Sequence, residues 1–300
     1  MYLLAIAIPQ VRRIRLPVSR DQLMLLMAAV NEIFLGVDIS LAHSISGAIT
    51  AGEWIPILFG PTAGALLLVA GWISLRRRPA ATVLAKVVFI LSIIVGLLGA
   101  YFHFIRAILP FAPAGQRFTV DLLIWAPPIL GPLTFCLVGI LGISAAWIED
   151  PVDSGTLVLF GGRRLHLPYS KTQAYLFLVG LGSLATVISS VLDHARTGFA
   201  NPWVWVPTTA GILGTVIPLL AAVIDPPSRW DTSTLLATFL VLVAVGVVGA
   251  VLHVRDDLTA QGTFIVERFI RGAPFLAPLL FSNMGMLGLI AMLEPRESGR

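Results

Sequence analysis

The sequence predicts an all-α integral membrane protein of eight transmembrane helices, folded as four helical hairpins in two parallel, pseudo-repeated four-helix halves. Three observations carry that reading. The chain of 300 residues is 57% hydrophobic and only 12% charged, with a mean hydropathy of +0.91, far from the roughly 25% charged residues of soluble domains. Apolar runs of about 20 residues recur along it, and such runs are read as helices because hydrocarbon offers no partner to an unpaired backbone group. A short motif also repeats: "GLLGAYFH" from Gly96 and "GVVGAVLH" from Gly246 share two glycines and a histidine at the same spacing.

Residues 1–20 form a cytoplasmic N-terminal segment in this reading. Their apolar run precedes Arg12, Arg13 and Arg15, the reverse of a secretory signal, and is too short to span. An interfacial or unstructured start is expected. The first membrane half, 21–150, holds spans near 21–46, 54–75, 83–105 and 124–148. A cytoplasmic linker follows at 151–169, where "TLVLFGGRRLHLP" alternates around Gly161 and Gly162 as a β-hairpin would. The second half, 170–294, holds spans near 172–194, 203–224, 232–253 and 273–293, and 295–300 is a cytoplasmic tail.

All seven tryptophans fall at span ends, where an amphipathic ring meets the headgroups. Fourteen of the twenty lysines and arginines fall on one side, in clusters at 12–20, 76–86 and 163–171 with Arg229, Arg296 and Arg300. Arg106, Arg117, Arg196, Arg255, Arg268 and Arg271 fall on the other. Cations are retained inside, so both termini are expected in the cytoplasm, and the plasma (inner) membrane is the expected location. The excess of four positive charges does not indicate nucleic acid, because the arginines sit in short loops without interleaved aromatics. The expected partners are the bilayer and other membrane subunits. A single cysteine, Cys136, excludes an intramolecular disulfide and a cysteine cage.

Each hairpin repeats one plan. The outgoing helix carries polar residues near its outer end: His43, His103, Asp193 with His194, and His253. The returning helices open "WIPILFGP", "WAPPILGP", "WVPTTAGI" and "GAPFLAPL". Pro56, Pro127, Pro207 and Pro274 are expected in first turns, and Pro61, Pro132, Pro218 and Pro278 deeper, where they remove a backbone bond.

Positions i, i+3 and i+7 share a helix face, so Gly96, Gly99 and His103 form one stripe and Gly246, Gly249 and His253 another. Gly99 and Gly249 leave room beside a histidine for a second helix or a flat ligand. Imidazole is the commonest metal ligand. His43, His103, Asp193, His194 and His253 are therefore candidate metal ligands around a shared centre, and the four histidines candidate haem ligands, with Gly99 and Gly249 lining the cofactor. Glu32 stands near mid-span, where a carboxylate costs on the order of 2.5–3.5 kcal/mol, so it faces protein or water. With Asp38 it marks a candidate path for a proton or cation. The sequence thus predicts a metal- or haem-binding protein with a redox or assembly role. A small-solute or proton-coupled transporter using Glu32 and Asp38, and a structural subunit of a membrane complex, are the alternatives. No catalytic constellation is present, and no enzyme class follows.

Overall fold

The computed structural model describes residues 2–13, 16–45, 47–74, 78–159, 162–259, 267 and 272–295. Arg15, Arg76, Arg77, Gly161, Arg268, Arg271 and residues 296–300, used above, lie outside them. Ten α-helices are described: α1 (Leu3–Ala7), α2 (Arg20–Ile45), α3 (Trp54–Ser74), α4 (Arg78–Arg106), α5 (Val120–Trp125), α6 (Leu130–Ala146), α7 (Lys171–Ala195), α8 (Trp205–Ala221), α9 (Arg229–Thr259) and α10 (Leu276–Ala291). Among the described residues, α2, α3, α4, α7, α9 and α8 together with the 3-10 turn Pro202–Val204 ahead of it are long and apolar enough to cross a membrane. The pair α5 and α6 makes a seventh span only if its 75° bend is counted through. The chain is a multi-pass, all-α membrane protein by length and composition. Large apolar side chains such as Leu58, Leu97, Ile212 and Val251 are more than half exposed, and continuous apolar surface of this kind suits lipid rather than water.

Two expected spans differ from the sequence reading. Residues 124–148 do not form one helix: α5 ends at Trp125 and α6 begins at Leu130. The intervening Pro127 and Pro128 lack N–H groups and hold the residues before them out of the α region, so the ladder stops. Pro127 thus lies in the break and Pro132 in the first turn of α6. Over 273–293 the helix is the 16-residue α10, about 24 Å long at 1.5 Å per residue. Pro274 precedes it and Pro278 sits in its first turn. Pro61 and Pro218 are interior, as expected.

Helix starts are set by reciprocal caps. In α7 the Ser170 hydroxyl accepts the Gln173 N–H while Gln173 Oε1 accepts the Ser170 N–H. Ser19 with Gln22 does the same for α2, and Ser228 with Asp231 for α9. These signatures stand in the sequence and place the starts within a residue or two. Residues 3–7 are not free at their boundary: α1 buries Leu3, Ala5 and Ala7, and Leu4 N–H donates to Met292 O at 2.9 Å. Between α6 and α7 a small antiparallel sheet pairs Thr156–Val158 (β2) with Arg164–His166 (β3), and Ile148–Glu149 (β1) adds a third strand to β2. Its loops rest on Glu149, whose carboxylate accepts the N–H groups of Asp153, Gly155 and Lys171.

The core has two parts. One gathers Ala28, Ala63, Phe89 and Phe135 from α2, α3, α4 and α6. The other gathers Tyr175, Phe239, Phe281 and Met284 from α7, α9 and α10, with Met24 and Leu141 joining it. The α4–α6 and α9–α10 seams are built from matching contacts. A Cβ on Gly99 would stand 2.7 Å from Pro132, and one on Gly249 would stand 2.8 Å from Pro278. Gly142 receives the Phe89 ring, and Gly288 the Phe239 ring. Cys136 Sγ donates to Ile93 O and Ser282 Oγ to Val243 O.

Candidate functional site

The histidines come together in twos. His43 closes the last turn of α2 and His103 that of α4, and their ring centroids are 6.1 Å apart with planes at 66°. His194 ends α7, His253 lies in the last third of α9, and their centroids are 6.5 Å apart at 87°. All four are half-buried. The sequence places His103 and His253 in equivalent positions; the structure puts each beside the histidine of the preceding outgoing helix.

Proline carbonyls orient two of these rings. His103 Nδ1 lies 2.8 Å from Pro128 O, and His253 Nδ1 lies 3.1 Å from Pro274 O. A carbonyl only accepts, so Nδ1 carries the hydrogen and a neutral ring keeps its lone pair on Nε2. Pro128 stands in the α5–α6 break and Pro274 just ahead of α10. Neither carbonyl has an N–H four residues ahead, since Pro132 and Pro278 stand there, and Pro274 O serves His253 while also accepting the Ala277 N–H at 3.2 Å. This is the arrangement seen around metal-bound histidine, where the second nitrogen is held by a carbonyl or carboxylate.

The first pair has a carboxylate beside it. Glu53 Oε1 stands 3.3 Å from His43 Nδ1 and 3.5 Å from Arg106 Nη1, while Oε2 accepts the Thr50 N–H at 2.8 Å. The Thr50 N–H, with help from His43 and Arg106, holds the Glu53 carboxyl below its usual pKa. Because the folded value lies below the unfolded one, this stabilisation is complete above the ordinary glutamate pKa of about 4.3 and is lost as pH falls through the folded value. Thermal unfolding from pH 7 down to 3 is expected to show an acid loss in the wild type that Glu53→Gln lacks, worth less than about 1 kcal/mol for a network at the protein surface whose Arg106 is half exposed.

Beside the second pair, Asp193 Oδ1 is 3.7 Å from Arg196 Nη1. Arg196 reaches across to the broken span, donating from Nε to Ile124 O at 2.8 Å and from Nη2 to Ala126 O at 3.3 Å. The segment 124–128 is therefore held by Arg196 of one cluster and by His103 of the other. Gly99 and Gly249 face Pro132 and Pro278, so neighbouring helices occupy the room they leave. Among the described residues no three or more His, Cys, Asp or Glu gather closely enough to hold an ion by themselves.

Glu32 is fully buried at the α2–α4–α6 junction. Its Oε1 is 2.5 Å from Ser92 Oγ, which also lies 2.9 Å from Phe135 O. Ser92 has one hydroxyl hydrogen, and the Phe135 carbonyl can only accept. Both contacts are hydrogen bonds only when Glu32 carries a proton and donates it to Ser92. Glu32 Oε2 and Asn31 Nδ2 are buried and have no hydrogen-bond partner among the described residues. Asp38 is half-buried on the same helix, about 9 Å further along it.

A second polar cluster, at the opposite end of α7, escapes sequence reasoning. Asp21 of α2 meets Lys171 of α7 in a direct ion pair, and Tyr175 OH donates to Asp21 Oδ1 at 2.9 Å. Lys171 Nζ also donates to Trp147 O at 2.7 Å, and Arg20 Nη1 to Thr172 Oγ1 at 2.5 Å. Arg20 also lies over the Tyr175 ring. Asp21 and Lys171 are 150 positions apart, and no local spacing announces the pair. No family model, curated protein or solved structure matches the chain.

Proposed function

We propose that the chain is a membrane protein that binds a transition metal or haem through its paired histidines and serves a redox or assembly role. The supporting observation is the fixing of His103 and His253 by proline carbonyls, with a second imidazole at ring-contact distance from each. The matching α4–α6 and α9–α10 seams support a duplicated four-helix unit. With α5–α6 and α10 counted as spans, the reading is of eight crossings, both termini in the cytoplasm, and histidines toward the outer leaflet. Asp193 is a further candidate ligand, while Gly99 and Gly249 serve the helix seams beside the histidines. Visible absorption and elemental analysis of the protein purified from metal- and haem-supplemented cells test the reading. A chromophore or bound metal that is diminished on replacing His103 or His253 is expected, and a colourless, metal-free protein would remove the reading.

A second reading is favoured by Glu32. A buried carboxyl that satisfies Ser92 and Phe135 by keeping its proton is a proton-binding group inside the membrane, which supports a proton-coupled transporter with Asp38 on the path. Glu32→Gln keeps a donor and an acceptor at the same place. Its expected result is a folded protein, within about 1 kcal/mol of wild type, whose solute uptake in vesicles no longer depends on pH. Unchanged pH dependence would exclude the path.

A further inference from the structure

Resting on the histidine reading above, we propose that the chain carries two separate centres, each holding one copper(I) ion between two imidazoles, His43 with His103 and His194 with His253. Two imidazoles bound through Nε2 on opposite sides of one ion place their ring centroids about 6.2 Å apart for a metal–nitrogen bond of about 2 Å. The observed separations are 6.1 and 6.5 Å. The hydrogen bonds of His103 and His253 through Nδ1 leave Nε2 as the coordinating atom of those rings.

The donor set selects the ion. Zinc takes four ligands in nearly every protein site, whereas copper(I), a closed-shell monovalent ion, is satisfied by two ligands in line. A haem also needs only two axial imidazoles, but its macrocycle demands a flat slot beside them. The glycine faces next to His103 and His253 are filled by Pro132 and Pro278, so the space suits a bare ion. The segment 124–128 stands as backbone common to both clusters, gripped by Arg196 on one flank and His103 on the other. That arrangement gives two centres joined by a strut in place of one four-histidine site.

The test is anaerobic titration of the full-length protein in detergent with copper(I), against a chromophoric copper(I) chelator, with X-ray absorption of the loaded protein. Two equivalents are expected, each ion bound by two nitrogens, with one equivalent remaining in His43→Ala and in His194→Ala and none in the double variant. His194→Ala is the safer variant, since it breaks no hydrogen bond described for that ring, and circular dichroism checks that each variant is folded. A wild type that binds a single equivalent, and loses all of it in either single variant, would overturn the two-centre arrangement and leave metal binding intact. A histidine-dependent haem spectrum or a different metal would overturn copper alone. Failure to bind copper, any other metal or haem would overturn this inference and the histidine reading together.

Discussion

Replacing Asp21 with alanine is expected to cost about 3–5 kcal/mol of stability, the loss typical of breaking a buried ion pair. The reason lies in what it leaves behind. The Lys171 side chain is 4% exposed, and without Asp21 its ammonium retains the Trp147 carbonyl and the weaker attraction of Glu149 but no direct ion-pair partner. Tyr175 OH, on a fully buried side chain, loses its acceptor at the same time. Removing one member of a buried pair is costly because the other remains charged in a poor solvent. Unfolding titrations in mixed micelles read the loss directly. The double variant Asp21→Ala/Lys171→Met is expected to recover much of it, because an apolar side chain of similar length leaves no stranded charge. A double variant as unstable as Asp21→Ala would mean that the pair is not what α2 and α7 depend on.

Gly60→Ala is expected to cost about 1–3 kcal/mol through overpacking, a large effect for one methyl group. An added Cβ would stand 2.5 Å from Glu32 O, 2.8 Å from Gly36 N and 2.9 Å from Gly36 Cα. All three are backbone atoms, so no side chain can rotate away, and α2 and α3 must separate. The shift would also disturb Glu32, whose own carbonyl is the nearest obstacle. Gly131→Ala serves as the control: its Cβ would meet only Pro128 Cγ, at 3.9 Å, and no measurable loss is expected. Equal thermal stability of Gly60→Ala and wild type would refute the close approach.

Much of the helical content was legible because a bilayer imposes length and apolarity on each crossing, and because tryptophan marks helix ends at Trp54, Trp125, Trp147 and Trp205. The α5–α6 break was harder to read. Paired prolines at 127 and 128 look like a helix start in a repeat that begins other helices with Trp-x-Pro, and only the short helix ahead of them, capped by Thr119, shows that the start has moved to Leu130. Glycine spacing pointed to the faces that carry the histidines. It did not say that His103 would meet His43, since pairing across helices depends on how far each helix extends beyond its neighbour. Glu53 carries no signature in the sequence, and its place beside His43 comes from the Thr50 turn that folds it back.

The two ends of α7 carry different fastenings to the first set of helices, Arg196 to Ile124 and Ala126 at one end and Lys171 to Asp21 at the other. Transporters that rock one bundle against another must prise the two apart at alternate faces. Here each such swing would tear out a polar rivet, the costlier one being the shielded ion pair. Any gating movement in this molecule is therefore expected to pivot within a bundle, at the proline joint near residue 127, with the boundary between bundles staying shut.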